Sequence, residues 1–156
     1  MARLKTILLA TAVAGTLDIL AAIIQAGGAA GSVLRSVAAG PLGDGAAAGG
    51  TGMALAGLVI HFLLMAVIAA VFVFAAARLP ILRRRPLIWG PLYGLCVWVV
   101  MYLIVLPARW PAGFPLTDPV QIAWAIAFHT LLVGLPIALI AARGAGSAGG
   151  KAVLPS

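Results

Sequence analysis

Charge is what this chain has least of: 8% of its 156 residues are charged, and only three are acidic. Ordinary soluble domains carry about 25% charged residues, so too few charged side chains are present to clothe a water-facing surface. Cysteine is nearly absent as well. The single Cys96 excludes an internal disulfide and a cysteine-based metal site. Histidine occurs twice, at 61 and 129. The four serines, at 32, 36, 147 and 156, have no histidine or acid near them in sequence, which argues against a serine hydrolase. What fills the chain instead is apolar: 64% hydrophobic residues and a mean hydropathy of +1.20. Lipid is therefore the expected solvent and principal partner. The net charge of +7 is spread too thinly to point to nucleic acid.

A hydrocarbon core of about 30 Å takes about 20 helical residues. Four apolar runs meet that length, at about 6–26, 53–77, 87–106 and 120–142. Pro86 stands at the first position of the third run and Pro107 at its close, while Asp118 and Pro119 form an N-cap and first-turn proline for the fourth. Gly144 is placed to stop the last helix. The expected fold is an all-α, four-helix transmembrane bundle formed by residues 1–143, followed by a disordered cytoplasmic tail over 144–156.

The basic residues set the direction of threading. Arg3, Lys5, Arg78, Arg83, Arg84, Arg85, Arg143 and Lys151 flank one side, and only Arg35 and Arg109 flank the other. That eight-to-two split predicts both termini and the triple-arginine loop in the cytoplasm, with 27–52 and 107–119 outside. The first run also has the basic start of a signal peptide, but it is long for a signal core and contains Asp18, so it is expected to be retained. The outer segment 27–52 holds nine glycines. Its GDGAAAGGTG string lacks the Lys-Ser/Thr ending of a phosphate loop, whereas Ser32–Ala39 is expected to form a short helix at the interface.

Ionisable groups in hydrocarbon are costly unless paired or hydrated. Asp18, His61 and His129 lie on three different spans, each about 12–14 Å below the outer surface by residue count, and they are expected to meet as a buried polar cluster. Thr11, Asp18 and Gln25 repeat every seven residues and form one stripe, with Ala14, Gly15 and Ala22 beside it. Gly57 and Met65 flank His61 at helical spacing, and Trp98, Met101 and Tyr102 reach the same level on the third span. Pro136 predicts a kink that frees the Leu132 carbonyl.

Two readings of the cluster compete. It fastens helices together, at about 0.6–2 kcal/mol per contact, or it senses protons, because imidazole changes charge near neutral pH. No cofactor is required by either reading. His61 and His129 also meet the first requirement of bis-His haem b ligation in an electron carrier, and Asp18, His61 and His129 would make a two-histidine, one-carboxylate metal set. A transporter or channel subunit is a further alternative; an enzyme is not expected. Gly90 and Gly94 form a GxxxG that lets another helix approach, from the same chain or from a second copy, so a homo-oligomer through the transmembrane helices stays open. The arginines at 83–85 read as a topogenic signal, and Trp89, Tyr93 and Trp110 as interface anchors.

Several strings carry a family resemblance: GTLDI around Asp18, GLVIHF around His61, the YG at Tyr93 and Gly94 with VLP ending at Pro107, and HTLLVGLPIAL from His129. Over roughly residues 8–143 the chain resembles a group of small bacterial four-helix inner-membrane proteins, distantly similar to the YagU-like family. The resemblance implies a multi-pass inner-membrane location with four spans. The YagU-like family is associated with acid tolerance, which lends support to a proton-related role for Asp18, His61 and His129. The ARWPAGFP segment after Pro107 departs from the family pattern.

Overall fold

In a medium without water every backbone polar group must be satisfied within the protein, which leaves the helix as the structure for each apolar run. The computed structural model describes residues 2–146, with side chains through Gly144; among these residues no strand occurs. The expected tail beyond residue 146 lies outside the described residues. Four helices are long and apolar enough to cross a membrane: α1 (Ala2–Gln25), α3 (Thr51–Arg78), α4 (Pro86–Arg109) and α5 (Pro119–Gly144). A shorter helix, α2 (Ala30–Leu42), lies between the first two.

The helix boundaries follow local chemistry. Gly27 and Gly28 have φ of +66° and +87°, a conformation nearly reserved for glycine. The Gly28 N–H donates to the Ile23 carbonyl at 2.9 Å and that of Gly27 to Ile24 at 3.0 Å, which closes α1 as a Schellman motif. Asp118 caps α5 as its position suggested, with the Val120 N–H donating to its Oδ1 at 2.9 Å. Gly144, by contrast, does not stop α5, whose helical backbone runs on to Gly146.

Pro107 and Pro136 behave differently from a simple stop or kink. Pro107 does not close the third span, which continues to Arg109. A proline lacks an N–H, and its ring crowds the carbonyl four residues back. Here each proline follows a π-helical turn, Met101–Val105 in α4 and His129–Gly134 in α5. The wider turns shift the preceding donors by one residue: Leu106 N–H reaches the Met101 carbonyl, and Leu135 N–H reaches that of Thr130. Pro107 and Pro136 come immediately after those leucines, so the i→i−5 turn takes up the misfit.

The interior is built from small residues. Ala10 and Ala14 of α1, Ala69 and Ala76 of α3, and Ala138 and Ala141 of α5 are buried together around Met65, Phe72, Val133 and Ile137. Large side chains such as Leu8, Leu63, Leu92 and Leu103 face outward. This distribution suits lipid, where apolar surface need not be hidden and close backbone packing joins the helices. α1 packs against both α3 and α5, and α4 packs along α5.

Glycine sets the closest approaches. A Cβ on Gly94 would lie 2.7 Å from the Thr130 Cα, one on Gly90 2.9 Å from the Leu135 Cα, and one on Gly134 2.7 Å from the Gly94 Cα. The GxxxG of α4 thus meets α5 of the same chain at Gly134, and this packing face is already occupied within one copy. Gly57 of α3 likewise abuts the backbone of α2 at Leu34. The expected 32–39 helix exists, extends to Ala30–Leu42, and leans on α3.

Candidate functional site: a polar and aromatic group between two π turns

Asp18 lies sixteen residues beyond Ala2 on α1, and Tyr102 sixteen beyond Pro86 on α4, two helices that start at the same end of a simple up-and-down threading. The count places the two side chains at a similar distance from that end. Tyr102 meets His129 edge-on, with ring centroids 5.5 Å apart and planes at 88°. Helical side chains tilt toward their own N-terminus. Since α4 and α5 are consecutive spans, Tyr102 leans one way and His129 the other, and the two rings converge. Trp98 stacks on the other side of Tyr102 at 5.9 Å, and Phe114 of the outer loop touches its edge at 5.8 Å.

The two histidines are held differently. His61 is 6% exposed, and its Nε2–H donates to the Gly15 carbonyl at 2.9 Å, joining α3 to α1 one turn inward of Asp18. A carbonyl only accepts, so this bond fixes the proton on Nε2 and leaves Nδ1 as the open atom. In His129 the order is reversed: Nδ1–H donates to the Ala125 carbonyl at 2.8 Å, leaving Nε2 open. Each imidazole therefore has one nitrogen anchored as a donor and one able to accept a proton. The Phe62 ring packs edge-on to His61 at 5.3 Å and lies against Gly15, so the α1–α3 crossing is closed around the bond.

No hydrogen bond joins any two of Asp18, His61 and His129: His61 bonds Gly15, and His129 bonds Ala125 and meets the ring of Tyr102. Among the described residues no group of three His, Cys, Asp or Glu side chains is placed to hold a metal, so the two-histidine, one-carboxylate set does not assemble. The ring nitrogen of each histidine that bonds a carbonyl is committed to helix geometry, and neither of the two clefts described on the molecule is lined by an imidazole.

The polar stripe of α1 also turns partly outward. Thr11 is buried with its Oγ1 unpartnered, Asp18 is half-buried, and Gln25 is exposed. The indole N–H of Trp98 is the other buried polar atom without a partner among the described residues. Both orphaned donors lie on the inner side of the Asp18 and Tyr102 level, Thr11 by seven residues and Trp98 by four.

Two further contacts had no counterpart in the sequence reading. Tyr93 is not an interface anchor: its hydroxyl donates to the Ile68 carbonyl at 2.7 Å, and its ring lies 5.0 Å from Phe72, tying α4 to α3. Arg109, at the outer end of α4, donates to the carbonyls of Ala39 and Gly40, each at 3.0 Å, and to Asp44 Oδ1 at 2.6 Å. It thereby satisfies the C-terminal carbonyls of α2, where a cation is favoured by the helix dipole. Trp110 adds its own N–H to Asp44 and lies 4.9 Å from the guanidinium. The two segments expected outside are thus clasped to each other. The signal available in sequence was that Arg109 and Asp44 are charges of opposite sign on a side with few others.

Comparison of the chain with protein families, with curated proteins and with solved structures gives no match. The functional reading accordingly rests on geometry and chemistry.

Proposed function

We propose that this chain is a proton-responsive, multi-pass protein of the bacterial inner membrane, threaded with both termini in the cytoplasm, in which protonation near the outer surface alters how α4 and α5 pack. The observation that carries this reading is the edge-on contact of Tyr102 with His129, each within a π turn of its own helix. π-Turns inside helices recur at functional positions. An imidazole at the first residue of such a turn couples its charge to the packing of that turn. When His129 Nε2 gains a proton, the positive ring lies on the side of Tyr102 and Asp18, and attraction to the carboxylate draws the outer half of α5 toward α1. Loss of the proton releases that pull. Tyr102 of α4 meets His129 directly, and the other ionisable side chains at this count along the spans are Asp18 of α1 and His61 of α3. The eight-to-two distribution of basic residues supports the direction of threading, and the resemblance to the YagU-like group, with its link to acid tolerance, is consistent with the role.

The test uses Trp98, stacked on Tyr102, as the sole tryptophan in an otherwise Phe-substituted protein in lipid nanodiscs. Its fluorescence is expected to change between about pH 8 and pH 5, the range in which imidazole ordinarily changes charge, and Asp18→Asn should flatten that change. A profile identical in the wild type and Asp18→Asn would reduce the group to helix fastening.

A further inference from the structure

At the opposite end of the bundle from the polar and aromatic group, the first turns of α1 and the last turn of α5 enclose a cleft of about 500 Å³. Lys5 and Arg143 both line it. No acidic side chain does, and neither cation forms an ion pair among the described residues. Two like charges brought to one cleft repel unless an anion compensates them. The remaining lining is amphipathic. Thr6 lies toward the polar end, while Leu9 and Ile140 continue the wall along the two helices toward the hydrocarbon. The first turn of α1 holds no acidic residue, so its free N–H groups carry positive potential toward the same place. Lys5 stands against that potential rather than complementing it, and it gains from an anion bound there.

We propose that this cleft binds the headgroup of one anionic phospholipid, with the phosphodiester between Lys5 and Arg143 and an acyl chain along Leu9 and Ile140. A phospholipid is the one occupant that offers both halves of the match. A soluble anion would use the cations and leave the apolar wall unused. A neutral lipid would use the wall and leave the charges uncompensated. The cleft joins the two terminal spans, so the lipid would also fasten α1 to α5.

Native mass spectrometry of the full-length, delipidated protein in detergent tests this, with dioleoyl-phosphatidylglycerol and dioleoyl-phosphatidylcholine added separately. One phosphatidylglycerol molecule should be retained in preference to phosphatidylcholine. Lys5→Gln and Arg143→Gln should each lower its retention about five-fold, in line with the contribution of one basic residue at a membrane surface. Lys5→Arg and Arg143→Lys should keep it, and R83Q/R84Q, which alters cations outside the cleft, should leave it unchanged. Equal retention of the two lipids, or phosphatidylglycerol binding that survives both glutamine variants while their helical circular dichroism is native, would overturn the proposal. So would complete displacement of the lipid by millimolar inorganic phosphate, which would mark a site for a free anion.

Discussion

The phenol ring of Tyr102 and the imidazole of His129 meet at right angles, each held in a π-helical turn that ends one residue before a Leu-Pro pair. The ring contact and the hydroxyl serve different ends, and a single atom separates them. Tyr102→Phe keeps the aromatic edge against His129 and the stack on Trp98, but removes the hydroxyl through which the proposed coupling to Asp18 would run. Its melting temperature in detergent should stay within a few degrees of wild type, because no hydrogen bond of that hydroxyl is lost. The pH response of Trp98 fluorescence should shrink toward that of Asp18→Asn. A full response in Tyr102→Phe would place the coupling between Asp18 and His129 elsewhere.

Gly94 tests the packing of the α5 π turn against α4. A methyl group at this position points at the main chain of His129 and Thr130, where no flexible side-chain tip can move aside. Overpacking of this kind costs about 1–3 kcal/mol. Gly94→Ala should lower the thermal midpoint followed by circular dichroism and also separate the Tyr102 and His129 rings. Leu92→Ala, on the exposed side of the same helix, should do neither.

The four spans were legible in the sequence because length and hydropathy are the whole requirement for crossing a bilayer. The predicted 53–77 run and the observed Thr51–Arg78 helix differ by no more than two residues at either end. Rotation about each helix axis was not legible. Residue counting gives position along a helix without saying which way each side chain turns, so Tyr102 as the ring partner of His129 and Gly15 as the partner of His61 emerged only with the helices assembled. Pro107 and Pro136 show a second limit. The sequence shows that an N–H is missing, whereas the π turn that absorbs it is seen only in the folded helix. The pairing of Gly90 and Gly94 with the same chain was beyond reach for a similar reason: a GxxxG marks a close approach and leaves the partner open.

The clasp between the outer segments separates two kinds of contribution from one ion pair. Arg109 holds two carbonyls of α2 as well as Asp44, and Asp44 is largely solvent-exposed, with 79% of its side chain accessible. An exposed ion pair contributes at most about 1 kcal/mol, so Asp44→Asn should change stability little. Arg109→Ala also takes the side-chain donor from the Gly40 carbonyl, leaves the Ala39 carbonyl with only the Gly43 N–H, and removes the cation beside Trp110. It should free α2 from α4 and raise the rate of proteolytic nicking in the 43–50 segment several-fold, while Asp44→Asn stays close to wild type. Equal nicking in both variants would mean that the carboxylate, rather than the helix end, is what the guanidinium secures.

Direction of threading has a readout independent of the polar group. The clasp of Arg109 to α2 and Asp44 requires the 27–52 and 107–119 segments to share one side of the bilayer, and the arginines at 83–85 lie at the other end of α4. Geometry alone leaves open which side is the cytoplasm; the basic residues favour the end with 83–85. In a Cys96→Ser background, Gly113→Cys should therefore react with a membrane-impermeant maleimide in intact spheroplasts, and Arg84→Cys only after the membrane is opened. Gly113 lies in a turn with open space around its Cα, so the added thiol meets no neighbour. The converse labelling pattern would invert the bundle. The Lys5 and Arg143 cleft would then face outward, and the Asp18, Tyr102 and His129 group would respond to cytoplasmic rather than external acid.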